Sequence, residues 1–206
     1  FPDAKPVSYY EELYPERDLP EGAVVTRFAP SPTGFVHIGA LMQCIVETAL
    51  IKQTNGKLIL RIEDTDQKRK VENGVQGIID SMKDFDIIFD EGMISETESS
   101  GNYGPYIQTQ RKEIYEAYVK YLIEIDRAYP CFATEEELQE LRRIQEEEKC
   151  TTIGYYGKWA KYRDLPIDEA AERIKSGDRF VIRFRSMNEE GQKLTHKDMV
   201  KGKVEM

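Results

Sequence analysis

The chain has 206 residues, is 40% hydrophobic and 33% charged, and carries a formal net charge of −9. Because no apolar run approaches the ~18 residues of a membrane span, the composition argues against an integral membrane protein. An acidic chain is also poorly suited to binding nucleic acid over its whole surface, since the phosphate backbone attracts lysine and arginine, so any such surface must be a local patch.

The first segment of the chain, 1–22, is rich in proline and tyrosine and carries charges of both signs. Since proline interrupts regular structure, we interpret it as an amino-terminal extension that lies along the domain or loose in solvent. Its sequence does not indicate a function.

A strand, a rigid turn and a helix are predicted next. β-branched and aromatic residues over 22–28 favour a strand, whereas two prolines and a glycine over 30–34 force a turn. Apolar residues then recur at helical spacing from Ile38, and Asn55 tolerates the positive φ that ends a helix. Such a helix start presents free N–H groups and the positive end of the helix dipole, which suits a phosphate.

Two residues at this helix start could act on a phosphate. His37 can donate a hydrogen bond or a proton to a phosphate oxygen. Gly39 has no Cβ, so a flat or bulky ligand can approach the backbone. An isolated H-x-G at a helix start usually reflects packing or capping, and the functional interpretation therefore depends on the segment that follows.

That segment is a strand over 58–62 that ends in three carboxylates, Glu63, Asp64 and Asp66. A solvated acidic turn is the simplest interpretation, and a metal site is only weakly indicated because no histidine or further carboxylate completes a coordination shell. At the carboxyl end of a strand in an open α/β sheet, however, a carboxylate borders the ligand crevice. Glu63 would then face a substrate ammonium group.

A second helix with one apolar face is predicted over 71–82, and a third strand over 85–89. The resulting β-α-β-α-β order predicts an α/β fold with a parallel, doubly wound half-sheet. A polar loop follows over 94–105.

The rest of the chain mixes helices and strands. A helix is predicted over 114–125, and a second one begins at a capping box formed by Thr134 and Glu137. The loop 155–163 interleaves aromatic residues with bases, which is typical either of a loop that covers a small core or of RNA contact.

Two more elements are predicted towards the end of the chain. Pro166 and Gly177 bracket a helix. The stretch 179–185 then alternates, with Arg183 and Arg185 on one side, and predicts a half-buried strand with a basic face. His196 lies in a polar stretch and most simply has no role.

Four blocks carry a resemblance to a known family. They read R-F-A-P-S-P-T-G at 27–34, H-I-G-A at 37–40, L-R-I-E-D-T-D at 60–66 and G-P-Y-x-Q-T-x-R at 104–111. Together they resemble the signatures of class I aminoacyl-tRNA synthetases, and within these of the glutamyl-tRNA synthetases, with the second block a variant of the HIGH motif. The glutaminyl relatives read P-E-P-N-G and R-F-D-D-T-N in the first and third blocks, so this sequence favours glutamate.

The resemblance implies roles for individual residues. Arg27 would pair with the side-chain carboxylate of glutamate, which a guanidinium fork can bind bidentately. Ala29 and Ser31 would line the amino-acid pocket, and Glu63 would hold the α-amino group. ATP would bind at His37, Gly39 and Ala40, of which the first two would be catalytic, and tRNA would contact Asp66, Arg69, Arg111, Arg163 and Arg183.

The reaction implied by the resemblance joins glutamate to tRNA. The α-carboxylate of glutamate attacks the α-phosphorus of ATP, and the glutamyl group then passes to the terminal ribose of tRNA, which depends on positioning and charge stabilisation. ATP with Mg²⁺ is the expected cofactor, and glutamate and the acceptor stem of tRNA are the expected partners, without a membrane. A cytoplasmic monomer is expected, and the three cysteines, which form no disulfide framework, fit a reducing compartment.

Many glutamyl synthetases hold zinc with a C-x-C pair and a later Y-x-x-x-C. Here the pair reads Cys131-Phe132-Ala133, and Trp159 stands where the last ligand would be. Because tetrahedral zinc needs four ligands, we expect no metal, and Cys150 is interpreted as a plain thiol.

The resemblance also implies the domain organisation. The fold would be the amino-terminal half of a class I synthetase Rossmann-like parallel sheet, plus an inserted α+β domain that binds the acceptor stem. We expect the extension over 1–22, the first half of the catalytic domain over 23–102 and the insertion over 103–206. A K-L-S-K-R type lysine loop and anticodon-reading helical domains are missing from this sequence, so we expect an amino-terminal fragment of a longer enzyme.

Three alternatives remain open at this point. The first is a paralogue that activates glutamate to modify tRNA. The second is a nucleotidylyltransferase with an H-x-G-H site, although such a protein would lack the R-I-E-D-T-D block. The third is a non-catalytic tRNA-binding module, which an intact mass of 23.9 kDa in cells would support.

Overall fold

The computed structural model describes residues 1–34, 36–186, 193–198 and 200–205. They form two compact units, Phe1–Tyr118 and Val119–Met206. The division falls inside a helix, whereas the boundary expected from the sequence lies at 102–103 and stays a prediction. No helix among the described residues is both long and apolar enough to cross a bilayer.

The first unit is built on a four-stranded sheet with the order β1-β2-β3-β4. The first three strands run parallel, and the short fourth strand is antiparallel to the third. The predicted α/β fold with a parallel sheet is therefore confirmed. Its elements are α1 (Val7–Leu13), β1 (Val25–Phe28), α2 (Ile38–Thr54), β2 (Lys57–Leu60), α3 (Gly74–Lys83), β3 (Glu91–Met93), β4 (Ser99–Ser100) and the start of α4 (Lys112–Glu124).

The core of the first unit includes one face of β2. Leu58, Leu60 and Ile62 alternate along β2 and its extension and are almost fully buried. They belong to one apolar cluster with residues of α2 and α3, namely Cys44, Ile51, Val75, Ile78 and Met82. Because side chains alternate along a strand, Ile59, Arg61 and Glu63 lie on the opposite face.

The third strand predicted over 85–89 is wrong, since β3 begins only at Glu91. The carbonyl of Met82 accepts hydrogen bonds from the N–H groups of Phe85 and Ile87, so the chain closes the end of α3 instead of extending. Ile87 is buried, whereas Ile88 is 75% exposed. Of these two isoleucines, only Ile87 therefore belongs to the buried core.

The amino-terminal extension lies along the first unit, which confirms one of its two expected arrangements. Tyr10 of α1 is buried in a cluster with Ile114 and Ala117 of α4. The segment is therefore a packed part of this unit.

The second unit combines helices with two antiparallel strand pairs. β5 pairs with β6, and β7 pairs with β8. The predicted capping box of Thr134 and Glu137 is confirmed at the start of α5. The elements are the end of α4, β5 (Ala128–Cys131), α5 (Glu135–Glu147), α6 (Ile167–Lys175), β6 (Val181–Phe184), β7 (Thr195–Asp198) and β8 (Gly202–Glu205), with a 3₁₀ turn at Gly157–Trp159.

Candidate active site

The turn between β1 and α2 is fixed by backbone bonds from neighbouring segments. The N–H groups of Glu63 and Val71 donate to the carbonyls of Pro30 and Pro32, at 2.9 and 3.0 Å. Pro32 is almost fully buried. The turn therefore rests on the carboxyl end of β2, and its position follows that of the sheet.

His37 caps the start of α2. Its Nδ1 accepts a hydrogen bond from the N–H of Ala40 at 3.3 Å. This contact favours the neutral tautomer in which Nε2 carries the proton and is the donor. A Cβ on Gly39 would lie 3.1 Å from His37 Nδ1. The glycine thus makes room for the imidazole ring, whereas the sequence suggested that it makes room for a ligand.

An open cavity of about 830 Å³ lies against this turn and helix start. It brings together five of the predicted site residues, Ala29, Ser31, His37, Gly39 and Ala40. A helix start leaves the N–H groups of its first turn unpaired, and His37 satisfies that of Ala40. The N–H groups of Ile38 and Gly39 remain available to an anion.

Arg27 and Glu63 do not line this cavity but pair with each other. Arg27 Nη1 lies 2.9 Å from Glu63 Oε1, and each side chain is 37% exposed. An exposed pair of this kind contributes only ~0–1 kcal/mol to stability, so a ligand can replace it at little cost. A zwitterionic amino acid offers a carboxylate to Arg27 and an ammonium group to Glu63.

Arg61 is a residue that the sequence analysis did not assign to the site. It shares a face with Glu63, and with Arg27 because Arg27 is in register with Ile59. Its buried Nε has no hydrogen-bond partner among the described residues. Burial, followed by the positive charges of Arg27 and Arg111, lowers the pKa of Arg61. The period-two alternation of β2 was the signal that could have found it.

Asp64 has a structural role that the sequence did not reveal. It is buried, and its two carboxylate oxygens accept hydrogen bonds from Thr109 N at 3.0 Å and Thr109 Oγ1 at 2.7 Å. This contact ties the R-I-E-D-T-D block to the G-P-Y-x-Q-T-x-R block.

The residues expected to contact tRNA in the first unit differ in accessibility. Arg69 Nε lies 2.6 Å from Asp66 Oδ2, and the Arg69 side chain is 75% exposed. The hydrogen bond from Arg69 lowers the pKa of Asp66. Arg111 is instead half-buried, and its Nη1 donates to the carbonyls of Tyr103 and Pro105, at 3.3 and 2.7 Å.

Arg183 of β6 and Arg185, which directly follows β6, do not form the free basic face that the sequence predicted. Arg183 stacks over the Tyr155 ring at 4.5 Å, and its Nε donates to Cys131 Sγ at 3.3 Å. Arg185 is 13% exposed and pairs with Asp126 and Asp164, at 3.0 and 2.7 Å.

On the opposite side of β6, Phe184 is 62% exposed. The aromatic side chains and the carboxylates that cover the arginines come from other elements, which a strand pattern cannot show. Arg163 is also largely covered, with a 21% exposed side chain.

The expected zinc positions contain one buried thiol. Cys131 is 1% exposed. No group of three histidine, cysteine, aspartate or glutamate side chains that could hold a metal occurs in the part of the chain that the structure describes. The absence of zinc stays a prediction.

The comparisons with known proteins indicate the family of the chain. Residues 23–206 match the family model for tRNA synthetases class I (E and Q), catalytic domain. A glutamate–tRNA ligase of Acetivibrio thermocellus is 50% identical over 98% of this chain and 37% of that protein. One from Clostridium perfringens is 49% identical over 97% of this chain and 36% of that protein.

A solved structure gives the same result for the fold. A glutamate tRNA ligase from Elizabethkingia meningosepticum, in complex with its amino acid, matches with a TM-score of 0.72 at 31% identity. The match covers 89% of this chain and 36% of that one. The chain therefore spans little more than a third of the length of the relatives that it resembles.

Proposed function

This chain belongs to the family of class I tRNA synthetases for glutamate and glutamine, and we propose that the protein activates glutamate with ATP and transfers it to tRNA. The observation that carries this proposal is the pair of Arg27 and Glu63 beside the His37 helix start. One cation on β1 and one anion just beyond the end of β2 match the two ends of a glutamate molecule.

The amino acid would replace the contact between these two side chains. The carboxylate of the glutamate side chain accepts a bidentate pair of hydrogen bonds from Arg27, and the α-ammonium group binds Glu63. Ala29 and Ser31, on the turn that follows β1, form the wall of the pocket. The neutral amide of glutamine would gain less from Arg27, since the charge-assisted contact is lost.

ATP would lie along the turn and the start of α2. The N–H groups of Ile38 and Gly39, the helix dipole and His37 Nε2 all favour phosphate oxygens. Mg²⁺ would arrive with the triphosphate as part of the substrate. An α-carboxylate oxygen of glutamate then bonds to the α-phosphorus of ATP while pyrophosphate leaves. In the second step a hydroxyl of the terminal ribose takes the glutamyl group, and AMP leaves.

The acceptor end of tRNA would meet the exposed pair of Asp66 and Arg69, which follows Glu63 directly in the chain. Contacts through Arg111, Arg163 or Arg183 would need their internal contacts to open. We therefore give Arg69 the largest role among the arginines expected to bind tRNA.

The test is the substitution Arg27→Ala in the full gene product. We expect the KM for glutamate to rise by a factor equivalent to about 3 kcal/mol, because a bidentate charged contact is lost, while the KM for ATP changes little. Arg143→Ala is a matched control, since Arg143 is exposed on α5 and pairs only with Glu140 and Glu147 among the described residues. Equal shifts of both constants would show that the role of Arg27 is wrong.

A further inference from the structure

The extension 1–22 precedes the residues that match the family model, yet it is fastened to a loop of the first unit. The hydroxyl of Tyr14 donates to the carbonyl of Gly104. In return, the hydroxyl of Tyr103 donates to the carbonyl of Pro15 at 2.9 Å. Contacts of both directions therefore join the end of α1 to the loop 103–106.

Arg17 adds a charged anchor to this junction. Its guanidinium binds the carboxylate of Glu91 bidentately, with Nη1–Oε2 at 2.5 Å and Nη2–Oε1 at 2.7 Å. The same guanidinium lies 3.7 Å from the centre of the Tyr103 ring. The side chains are 20% and 8% exposed, so solvent screens this pair much less than the pair of Arg27 and Glu63.

Tyr106 connects the ion pair of Arg17 and Glu91 to the loop. Its hydroxyl donates to Glu91 Oε1 at 2.7 Å and accepts from the N–H of Tyr103 at 2.8 Å. A Cβ added to Gly101 would lie 2.2 Å from Glu91 Cγ and 2.5 Å from this hydroxyl, so the junction has no spare space. Tyr106 therefore links this loop directly to Glu91 of β3.

The loop in turn holds the chain on both sides of Glu63. The N–H of Ile62 donates to the carbonyl of Tyr106, and the N–H of Gln108 donates to the carbonyl of Ile62, both at 2.9 Å. On the other side, Thr109 donates twice to Asp64. Glu63 is thus the one residue between two that are bound to the loop.

We propose that residues 1–22 act as a strap that positions Glu63 for the amino group of the substrate, with Arg17 and Glu91 as positioning residues. The strap acts through the loop 103–106 and the residues up to Thr109 that follow it, and it does not touch the ligand. Losing it would let the loop and the extension of β2 shift, and a displacement of about 1 Å at a reacting centre can cost a hundredfold in rate. The proposal rests on the proposed function of Glu63.

The first test compares Arg17→Met, Arg17→Lys and the control Arg143→Met in the full gene product. Arg17→Met is expected to raise the KM for glutamate about tenfold, while the KM for ATP stays unchanged. This effect is smaller than the hundredfold loss that a displacement of about 1 Å at a reacting centre can cause. Arg17→Lys keeps the charge but loses the bidentate fork, and is expected to lie between Arg17→Met and the wild type. Equal changes in both constants, or a loss of melting temperature alone, would overturn the proposal.

The second test does not need activity and therefore separates this proposal from the proposed function. Amide hydrogen exchange is measured at Ile62, Gln108 and Thr109. Faster exchange at these amides in Arg17→Met than in Arg143→Met supports the strap even if glutamate is not the substrate, whereas unchanged exchange overturns it. Should Arg17→Met not fold, Tyr14→Phe removes only the hydrogen bond to Gly104 and is expected to give smaller changes in the same direction.

Discussion

At the scale of single residues, the site contains more positive than negative charge. Arg27 and Glu63 neutralise each other. Arg61 lies close by, and burial, followed by the positive charges of Arg27 and Arg111, lowers its pKa. A half-buried cation without a paired anion stabilises an incoming negative charge more than an exposed cation does. Arg61 would therefore favour the anionic side chain of glutamate over the neutral side chain of glutamine.

This charge argument predicts the behaviour of Arg61→Met, which keeps most of the apolar stem and removes the charge. We expect glutamate to bind about tenfold more weakly, equivalent to ~1.4 kcal/mol, and glutamine binding to stay unchanged. Isothermal titration of both amino acids into the wild type and the variant measures the effect, with Arg61→Lys as the matched variant that keeps the charge. Equal weakening of both ligands would mean that Arg61 supports the fold of the site and does not select charge.

At the scale of helices and strands, local signals were sufficient where the contacts are local. The capping box of Thr134 with Glu137 and the left-handed Asn55 at the end of α2 depend on neighbours in the chain, and both were predictable. The predicted strand over 85–89 failed because the backbone there closes the end of α3 with hydrogen bonds to the carbonyl of Met82. The sequence motifs were sufficient to locate the segments of the candidate site along the chain. The contact of Arg17 with Glu91, however, joins residues 74 positions apart, and no local pattern encodes it.

The attachment of the strap to β3 has a consequence for acid stability. Burial raises the pKa of Glu91, but hydrogen bonds from Arg17 and Tyr106 outweigh burial and hold the pKa below its ordinary value. A carboxyl with a lowered pKa in the folded state stabilises the fold above its unfolded pKa of ~4.3, and this stabilisation is lost as the pH falls through the folded pKa.

We therefore expect Arg17→Met to lower the free energy of unfolding at pH 7 and to differ less from the wild type near pH 3. Urea unfolding at both pH values measures this difference, and Arg143→Met controls for the loss of an exposed arginine. A difference that is the same at both pH values would contradict the assigned role of the Glu91 carboxylate.

The second unit gives a prediction about metal. The Sγ of Cys131 accepts the hydrogen bond of Arg183, and Ala133 and Trp159 occupy the other expected ligand positions. We expect metal analysis of the purified protein to find no stoichiometric zinc, and a chelator to leave the Tm unchanged. One zinc per chain that survives dialysis would contradict this account and would indicate Cys131 and Cys150 as ligands.

At the scale of the whole molecule, the cavity at the helix start would form one side of the proposed nucleotide site. Its described lining contains neither lysine nor arginine, so the charge that would develop on the leaving pyrophosphate meets no lysine or arginine side chain there. Removing a single preorganised donor commonly costs a hundredfold or more in rate. In α2, Ile38, Met42, Ile45 and Val46 are also exposed. We expect the 206-residue chain alone to give no measurable activation of glutamate.

The measurement that tests the central claim most directly is amino-acid-dependent exchange of radiolabelled pyrophosphate into ATP, with and without tRNA. The full gene product and the 206-residue chain are assayed side by side with glutamate and with glutamine. Exchange with glutamate but not glutamine is expected from the full gene product, and none from the 206-residue chain. If the full gene product gave comparable exchange with glutamine, or no exchange with glutamate either with or without tRNA, the assignment of this site to glutamate activation would be contradicted.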